Sequence, residues 1–434
     1  MERTSHVVVV GAGAAGSSAA LALRAGADAA GSAVGSAVGS VEVTVLGAED
    51  EVPYNRTTVN KGLLSGAVDD AGIALPGMDH PGITWRRGCS VEALDPRTRV
   101  LRLRDGTRVQ ADAVVLATGA APRALPAPVE DAARDRVVQL RTVADTHRLR
   151  ELVAGADRDA PGPRRVVIAG AGLIGTEAAA VLLEAGCEVT LVDPAPRPLA
   201  RHVGSTVADW VTGAHQAAGI DLRLGTTVTG VRADDPGLRV SLGDGDDVHA
   251  AVVVACLGVD PATGWLSGSG LPLQDGSRGG VVVDAAQRVT GHPGIYAAGD
   301  LAAVPGPDGT PVRVEHWGAA LEQGRTAAAS VLTDLGITGP TGSRPPGRPV
   351  PSYSTYVHAT KLTILGWPVT AVAERPVLGR PGDPRFAVAL LDATDRVVGA
   401  VGVGGARAVN ALRPLIEARA PAADLGLPGG AGRG

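Results

Sequence analysis

Two segments 159 positions apart constrain this chain more than anything else in it. The first, HVVVVGAGAAGSSAALALRAG, sets four β-branched residues before Gly11, Gly13 and Gly16 and an Ala- and Leu-rich run after them. The second, RRVVIAGAGLIGTEAAAVLLEAGCEVTLVD, repeats that spacing at Gly170, Gly172 and Gly175. In a strand–turn–helix unit the first Gly makes the tight turn, the second lets a pyrophosphate approach the backbone, and the third lets helix and strand pack closely. The phosphates then lie on amides at the helix N-terminus, where the dipole favours negative charge. Asp193 stands 23 positions after Gly170, at the end of EVTLV, where a carboxylate can hydrogen-bond an adenosine ribose. Such glycines often serve packing alone, but here both matches have a strand before and a helix after. The chain is therefore read as carrying two dinucleotide sites.

The first unit is interrupted. Residues 26–40, GADAAGSAVGSAVGS, have the composition of a flexible excursion rather than an element. The ribose-binding acid of this unit is consequently late, and Glu49 is assigned the role, with Asp50 and Glu51 competing for it. Two further apolar runs end in ligand-facing turns: ADAVVLATGAAPR at Ala117, Thr118 and Gly119, and GIYAAGD at Gly299 and Asp300. Ligands of open α/β sheets sit beyond the carboxyl ends of the strands. Because the second dinucleotide unit lies between these runs, the first domain must be discontinuous in sequence.

Composition narrows the class. The chain has 434 residues, enough for two or three domains, with 45% hydrophobic and 20% charged residues and 60 glycines, which suits a Gly-punctuated α/β protein. No apolar run is long enough to span a bilayer. Glu2 weakens the basic region that a secretory signal would need, so a cytoplasmic location is expected. Three scattered cysteines, Cys89, Cys187 and Cys256, support neither a disulfide framework, a CxxC pair nor a metal site. The net charge of −5 is unevenly shared: from Ser343 onward eleven basic side chains face six acidic ones. A basic C-terminal module can steer an acidic partner, although uneven solvation explains the same numbers. Neither a nucleic acid nor a membrane is expected as a partner.

The set GAGAAG, PYxR with a following Lys, ATGAAPR, GAGLIGTE, AAGD and VEHWGAALEQGRTAA resembles the two-dinucleotide flavoproteins. Within them the chain is most similar to the FAD-dependent NAD(P)H:ferredoxin reductases that serve oxygenases and cytochromes P450, relatives of apoptosis-inducing factor. The resemblance implies an α/β fold with two Rossmann-like domains and a smaller α+β domain. Residues 1–125 and 250–335 would bind FAD, 126–249 NAD, and 345–434 would form a C-terminal interface domain. Reduced nicotinamide would pass hydride to the flavin, which carries the hard chemistry. Electrons would then leave singly to a [2Fe-2S] ferredoxin.

Site residues follow from the same resemblance. Gly11, Gly13, Ala14, Ala15 and Gly16 would cradle the FAD pyrophosphate, with Glu49, Arg56, Lys61, Val91, Ala117, Thr118, Gly119, Arg141, Gly299 and Asp300 as further cofactor contacts. Lys61 would stabilise negative charge on reduced flavin, with Glu177 as its ionic partner, and these two are the catalytic candidates. Ordinary surface charge is the competing reading for Arg56 and Lys61. Gly170, Gly172, Leu173, Ile174 and Gly175 would hold the nucleotide phosphates, Asp193 the ribose, and Arg201 and Gly258 further parts of the nucleotide. Asp193 repels a 2′-phosphate, so NADH is favoured over NADPH, while Arg197 and Arg201 leave a tolerant site open. Glu315, His316 and Trp317 would open a helix aimed at the flavin, though core packing competes for Trp317.

Departures from the family pattern bear on the acceptor. Thr57, Thr58, Val59 and Asn60 stand where relatives carry two prolines and Leu-Ser. In VPSYSTYVHATKLTILG, Ser354 and Val357 take the positions of a Trp and a Gln near the flavin, and Tyr353, Tyr356 and His358 either refill the space or line a pocket. Three functions stay open on these residues: a ferredoxin reductase, a flavin oxidoreductase acting on a small molecule or oxygen, and an NADH-sensing flavoprotein that docks a partner. A disulfide reductase is disfavoured, because no Cys lies near PYNR. The oligomeric state is not legible.

Overall fold

The computed structural model describes residues 4–31, 40–159, 164–274, 279–306, 309–337 and 350–426. They form two compact units, one comprising residues up to 57, 69–121 and 259–349, the other 58–68, 122–258 and 350 onward.

The first unit is built on a five-stranded sheet in the order Ile295–Ala297, Ala113–Leu116, Ser5–Val10, Val41–Leu46, Ile83–Arg86, with every pair parallel. Val7, Val8, Val9 and Val10 are all buried, as the near-continuous apolar run of a parallel strand covered on both faces requires. The helices Ala14–Gly31 and Trp317–Asp334 pack into the core beside it. Their contact is close: a Cβ on Gly324 would stand 2.3 Å from the Ala15 carbonyl oxygen, so even alanine there would force the helices apart. The first helix continues through Gly31, which corrects the reading of 26–40 as an excursion from its start. Ala30 is fully buried and Gly26 packs on Leu332, so tertiary contacts override the weak helical propensity of the glycines. Residues 32–39 of that segment lie outside the described residues.

The second unit repeats the plan with strands Asp221–Leu224, Cys187–Asp193, Arg164–Ala169, Val252–Ala255 and Val137–Gln139, again all parallel. Val252–Ala255 pairs with Arg164–Ala169 as Ala113–Leu116 pairs with Ser5–Val10. The chain therefore returns to the first sheet after Gly258, and 250–258, expected in the first domain, belong to the second. The physical reason is that each sheet needs its own buried strand beside the glycine turn, and AVVVACLG supplies it here. Residues 58–68 also pack in this unit, with Leu64 in its core.

The C-terminal segment adds a five-stranded antiparallel sheet to the second unit, in the order Ser352–Val357, Thr360–Gly366, Val397–Val403, Phe386–Leu391, Ala373–Leu378. Val397–Val403 is buried throughout because both faces are covered. Val203, Val207 and Val211 of the helix Ala200–Ala218 pack in one cluster with strand residues, and Val409, Leu412 and Ile416 in the other. Among the described residues no helix is long and apolar enough to cross a membrane.

Candidate functional site

The two glycine turns are built alike. Gly11 has φ +111° and Gly170 φ +106°, and a Cβ on either would lie 2.2 or 2.3 Å from the carbonyl oxygen of Ala117 or Cys256. Gly16 and Gly175 are equally closed, their Cβ positions falling 1.8 and 1.9 Å from the carbonyl oxygens of Gly11 and Gly170. Gly13 and Gly172 differ: nothing lies within 4 Å of the Cβ either would carry. Four glycines are thus demanded by protein packing, while the middle glycine of each turn faces open space that a pyrophosphate can enter. These turns fit a dinucleotide. The helix that follows each of them begins at Ala14 or Leu173, so its first amides are available to phosphate.

In the first unit Glu49 turns toward the PYNR segment. It accepts hydrogen bonds from the Tyr54 hydroxyl (2.5 Å) and Arg56 Nη2 (2.5 Å), and the Arg56 guanidinium stands 5.0 Å from the centre of the Tyr54 ring. Burial pulls the Arg56 pKa down, but the opposing charge potential of Tyr54 and Glu49, with Asp300 beyond them, outweighs it and leaves the pKa raised. Thr118 donates to the Ala262 carbonyl (3.0 Å) and receives Trp265 Nε1 (3.4 Å), while Gly119, at φ +68°, opens onto empty space. Gly299 donates its amide to the buried Gln323 side chain (2.8 Å). Arg313 joins the Asp300 carbonyl (3.0 Å) to the Glu315 carboxylate (2.7 Å). His316 is the N-cap of the helix that begins at Trp317, and both rings are half-buried. Val91 opens the antiparallel strand Val91–Asp95 of this unit.

The second unit holds a buried carboxylate. Glu177, 5% exposed, pairs with Lys61 Nζ at 3.0 Å. It also accepts from Asn60 Nδ2 (2.6 Å), the Thr355 hydroxyl (2.6 Å) and the Tyr356 amide (3.1 Å). Full hydrogen bonding of this kind is what makes a buried charge tolerable. Asp193 accepts from the Ala171 amide in the glycine turn (2.6 Å) and from the Ala195 amide two residues further on (2.8 Å). Gly258, at φ +82°, accepts the Arg123 amide (3.0 Å), and the Arg141 amide donates to Asp145 (3.0 Å). Arg197 is ion-paired with Asp209, and Arg201 is exposed. Leu173 and Ile174 are half-buried in the first turn of their helix.

The aromatic residues of the C-terminal strand have protein partners. Tyr353 lies 3.4 Å from His202 Nδ1, and burial raises its pKa. His358 Nε2 lies 3.2 Å from Nδ1 of the fully buried His215, whose pKa is drawn down to about 4 by burial and then by His358. Burial lowers His202 and His358 as well. Tyr356 alone of the three candidate pocket residues is exposed, at 45%.

Sequence reasoning missed Asn60, Thr355 and Arg313. Asn60 was visible only as a departure next to Lys61, and the bonds that make Thr355 matter span 178 positions, beyond any local pattern. The three cysteines are free, and burial pushes the Cys256 thiol up to about 12, which makes it inert. Among the described residues no group of three or more His, Cys, Asp or Glu could hold a metal ion.

Duplicated parallel sheets, each with a glycine turn shaped for a pyrophosphate, define a nucleotide-dependent oxidoreductase of the two-dinucleotide type. The family described as pyridine nucleotide-disulphide oxidoreductase matches residues 5–324, and the chain belongs to it. It is 33% identical over 419 residues to the ferredoxin–NAD(+) reductase component of the anthranilate 1,2-dioxygenase system of Burkholderia cepacia, covering 95% of this chain and 94% of that protein. It is 32% identical over 422 residues to rhodocoxin reductase of Rhodococcus erythropolis, covering 96% and 90%. The crystal structure of the covalent putidaredoxin reductase–putidaredoxin complex matches with a TM-score of 0.82 at 27% identity, covering 96% of this chain and 94% of that one.

Proposed function

We propose that this chain is an FAD-containing oxidoreductase that takes hydride from NADH and passes electrons to a [2Fe-2S] ferredoxin serving an oxygenase or a cytochrome P450. The observation that carries the reading is the pair of open glycine turns combined with the absence of any Cys in the segment 52–64. Electrons that enter at the nucleotide therefore have no protein disulfide to reach. The similarity to ferredoxin reductases of oxygenase systems supplies the acceptor class. The lack of a disulfide framework accords with work in the cytoplasm.

When bound, the flavin accepts hydride from the nicotinamide and releases its electrons singly. The residues of this chain do the rest. Gly11, Gly13 and Gly16 hold the flavin nucleotide's phosphates, and Gly170, Gly172 and Gly175 those of NADH. Asp193 keeps its carboxylate on the turn, ready for a ribose and hostile to a 2′-phosphate, while Arg197 is spent on Asp209. Lys61, fixed by Glu177, holds positive charge where negative charge grows on reduction. Arg56 and Asp300 complete the first unit's contacts.

Anaerobic stopped-flow tests the proposal: NADH reduces the flavin faster than NADPH, and oxidised [2Fe-2S] ferredoxin then reoxidises it. Faster reduction by NADPH would reverse the nucleotide assignment. A second reading, a small-molecule or oxygen acceptor, draws on Ser354 and Val357 replacing the bulky residues of relatives. It gains if a quinone or oxygen reoxidises the flavin faster than ferredoxin does. Lys61→Met slows flavin reduction more than tenfold by removing the charge; an unchanged rate takes Lys61 out of the site.

A further inference from the structure

The two oxygens of Glu177 are divided between two parts of the chain. Oε2 takes Lys61 and Asn60, and Oε1 takes the Thr355 hydroxyl and the Tyr356 amide. Asn60, Glu177 and Thr355 are 4%, 5% and 1% exposed, so water has little access to the bonds among these three, while the Lys61 side chain is 32% exposed. Thr355 points inward because burial alternates along the strand Ser352–Val357. That strand is the edge of its sheet, and an edge amide normally faces solvent. Here the Tyr356 amide is spent on Glu177. A carboxylate gripped on Oε1 cannot rotate about its last bond, so Oε2 stays aimed at Lys61.

We propose that Thr355 is a positioning residue for Lys61, acting through Glu177, so that the C-terminal edge strand sets the orientation of the ammonium group. The inference rests on the reading of Lys61 as part of the redox site. It gives the C-terminal sheet a share in the chemistry besides any docking role. It also accounts for a hydroxyl-bearing residue at a buried strand position.

The composition makes the test clean. Of the 40 lysines and arginines only Lys61 and Lys361 are lysines, and Lys361 is exposed. Amine-reactive labelling of the full-length protein, read by mass spectrometry, therefore reports Lys61 against Lys361 as an internal reference. Thr355→Val deletes the hydroxyl at nearly constant volume, and Thr355→Ala repeats the test if valine packs poorly. The Lys61 to Lys361 labelling ratio is expected to rise roughly tenfold in both, in keeping with a lost hydrogen bond to a charged group. Thr355→Ser keeps the hydroxyl and restores the wild-type ratio. In parallel, flavin reduction at saturating NADH slows in Thr355→Val while the nucleotide Kd is unchanged. An unchanged labelling ratio overturns the proposal. A raised ratio with an unchanged reduction rate upholds the hold on Lys61 and instead removes Lys61 from the redox site.

Discussion

The glycine turns of the two units are near copies in backbone, yet their acids behave differently. Asp193 accepts one amide of the glycine turn, that of Ala171, and one from its own loop, that of Ala195, so its carboxylate is oriented by main chain on both oxygens. Glu49 is 38% exposed and is committed to Tyr54 and Arg56. The same scaffold thus holds its acid by main chain in one unit and by side chains in the other. Main-chain anchoring ties the acid to the turn itself. Side-chain anchoring ties it to the PYNR segment, which continues directly into Lys61.

The comparison can be broken most forcefully at the glycines. Gly11→Ala and Gly170→Ala each place a Cβ at positive φ against a carbonyl, and each should weaken its own ligand about 1000-fold. Gly11→Ala should purify with substoichiometric flavin, and Gly170→Ala should keep its flavin absorbance but lose NADH titration. Loss of the same ligand in both variants would break the assignment of one ligand to each turn.

Acid should separate the units next. His202, His215 and His358, all with lowered pKa, lie in the second unit. For His215 the unfolded chain begins to protonate near 6.5 and the folded chain only near 4. The unfolded state holds more protons through that window, so stability falls as pH drops from 6.5 to 4, by on the order of 3 kcal/mol. Nucleotide binding should therefore be lost at higher pH than flavin fluorescence changes. His215→Gln should narrow that gap; a gap of the same width would assign the acid sensitivity elsewhere.

The acids themselves give the finer test. Asp193→Ala removes the acceptor of two amides and of the ribose, and NADH affinity should fall roughly 30-fold while the NADPH to NADH preference rises. Glu49→Gln disrupts only a part-exposed pair, so flavin affinity should change by less than about threefold, as isothermal titration of the apoprotein would register. Comparable losses in the two variants would erase the distinction.

The parts legible in the sequence were those fixed by local sterics. Gly11, Gly16, Gly170 and Gly175 can be read without a structure because a turn that tight excludes any Cβ, and the valines before Gly11 can be read because a parallel strand is apolar on both faces. The Lys61–Glu177 pair came from a resemblance rather than from any local pattern. The boundary at 250–258 was misread because AVVVACLG and AVVLATG look alike, and only strand pairing tells which sheet each joins.

The duplicated nucleotide-binding plan, the discontinuity of the first domain and the lack of a redox cysteine pair at PYNR can all be read from the residues alone. Each of these follows from residue types at short spacing, where backbone sterics and chemistry leave little choice. It takes the folded chain to show that Glu177 is shared between Lys61, Asn60 and Thr355, that His358 meets His215, and that Glu49 turns to Arg56. Those contacts depend on how distant strands and helices pack, and packing is set by the shape of the whole core rather than by any window of residues.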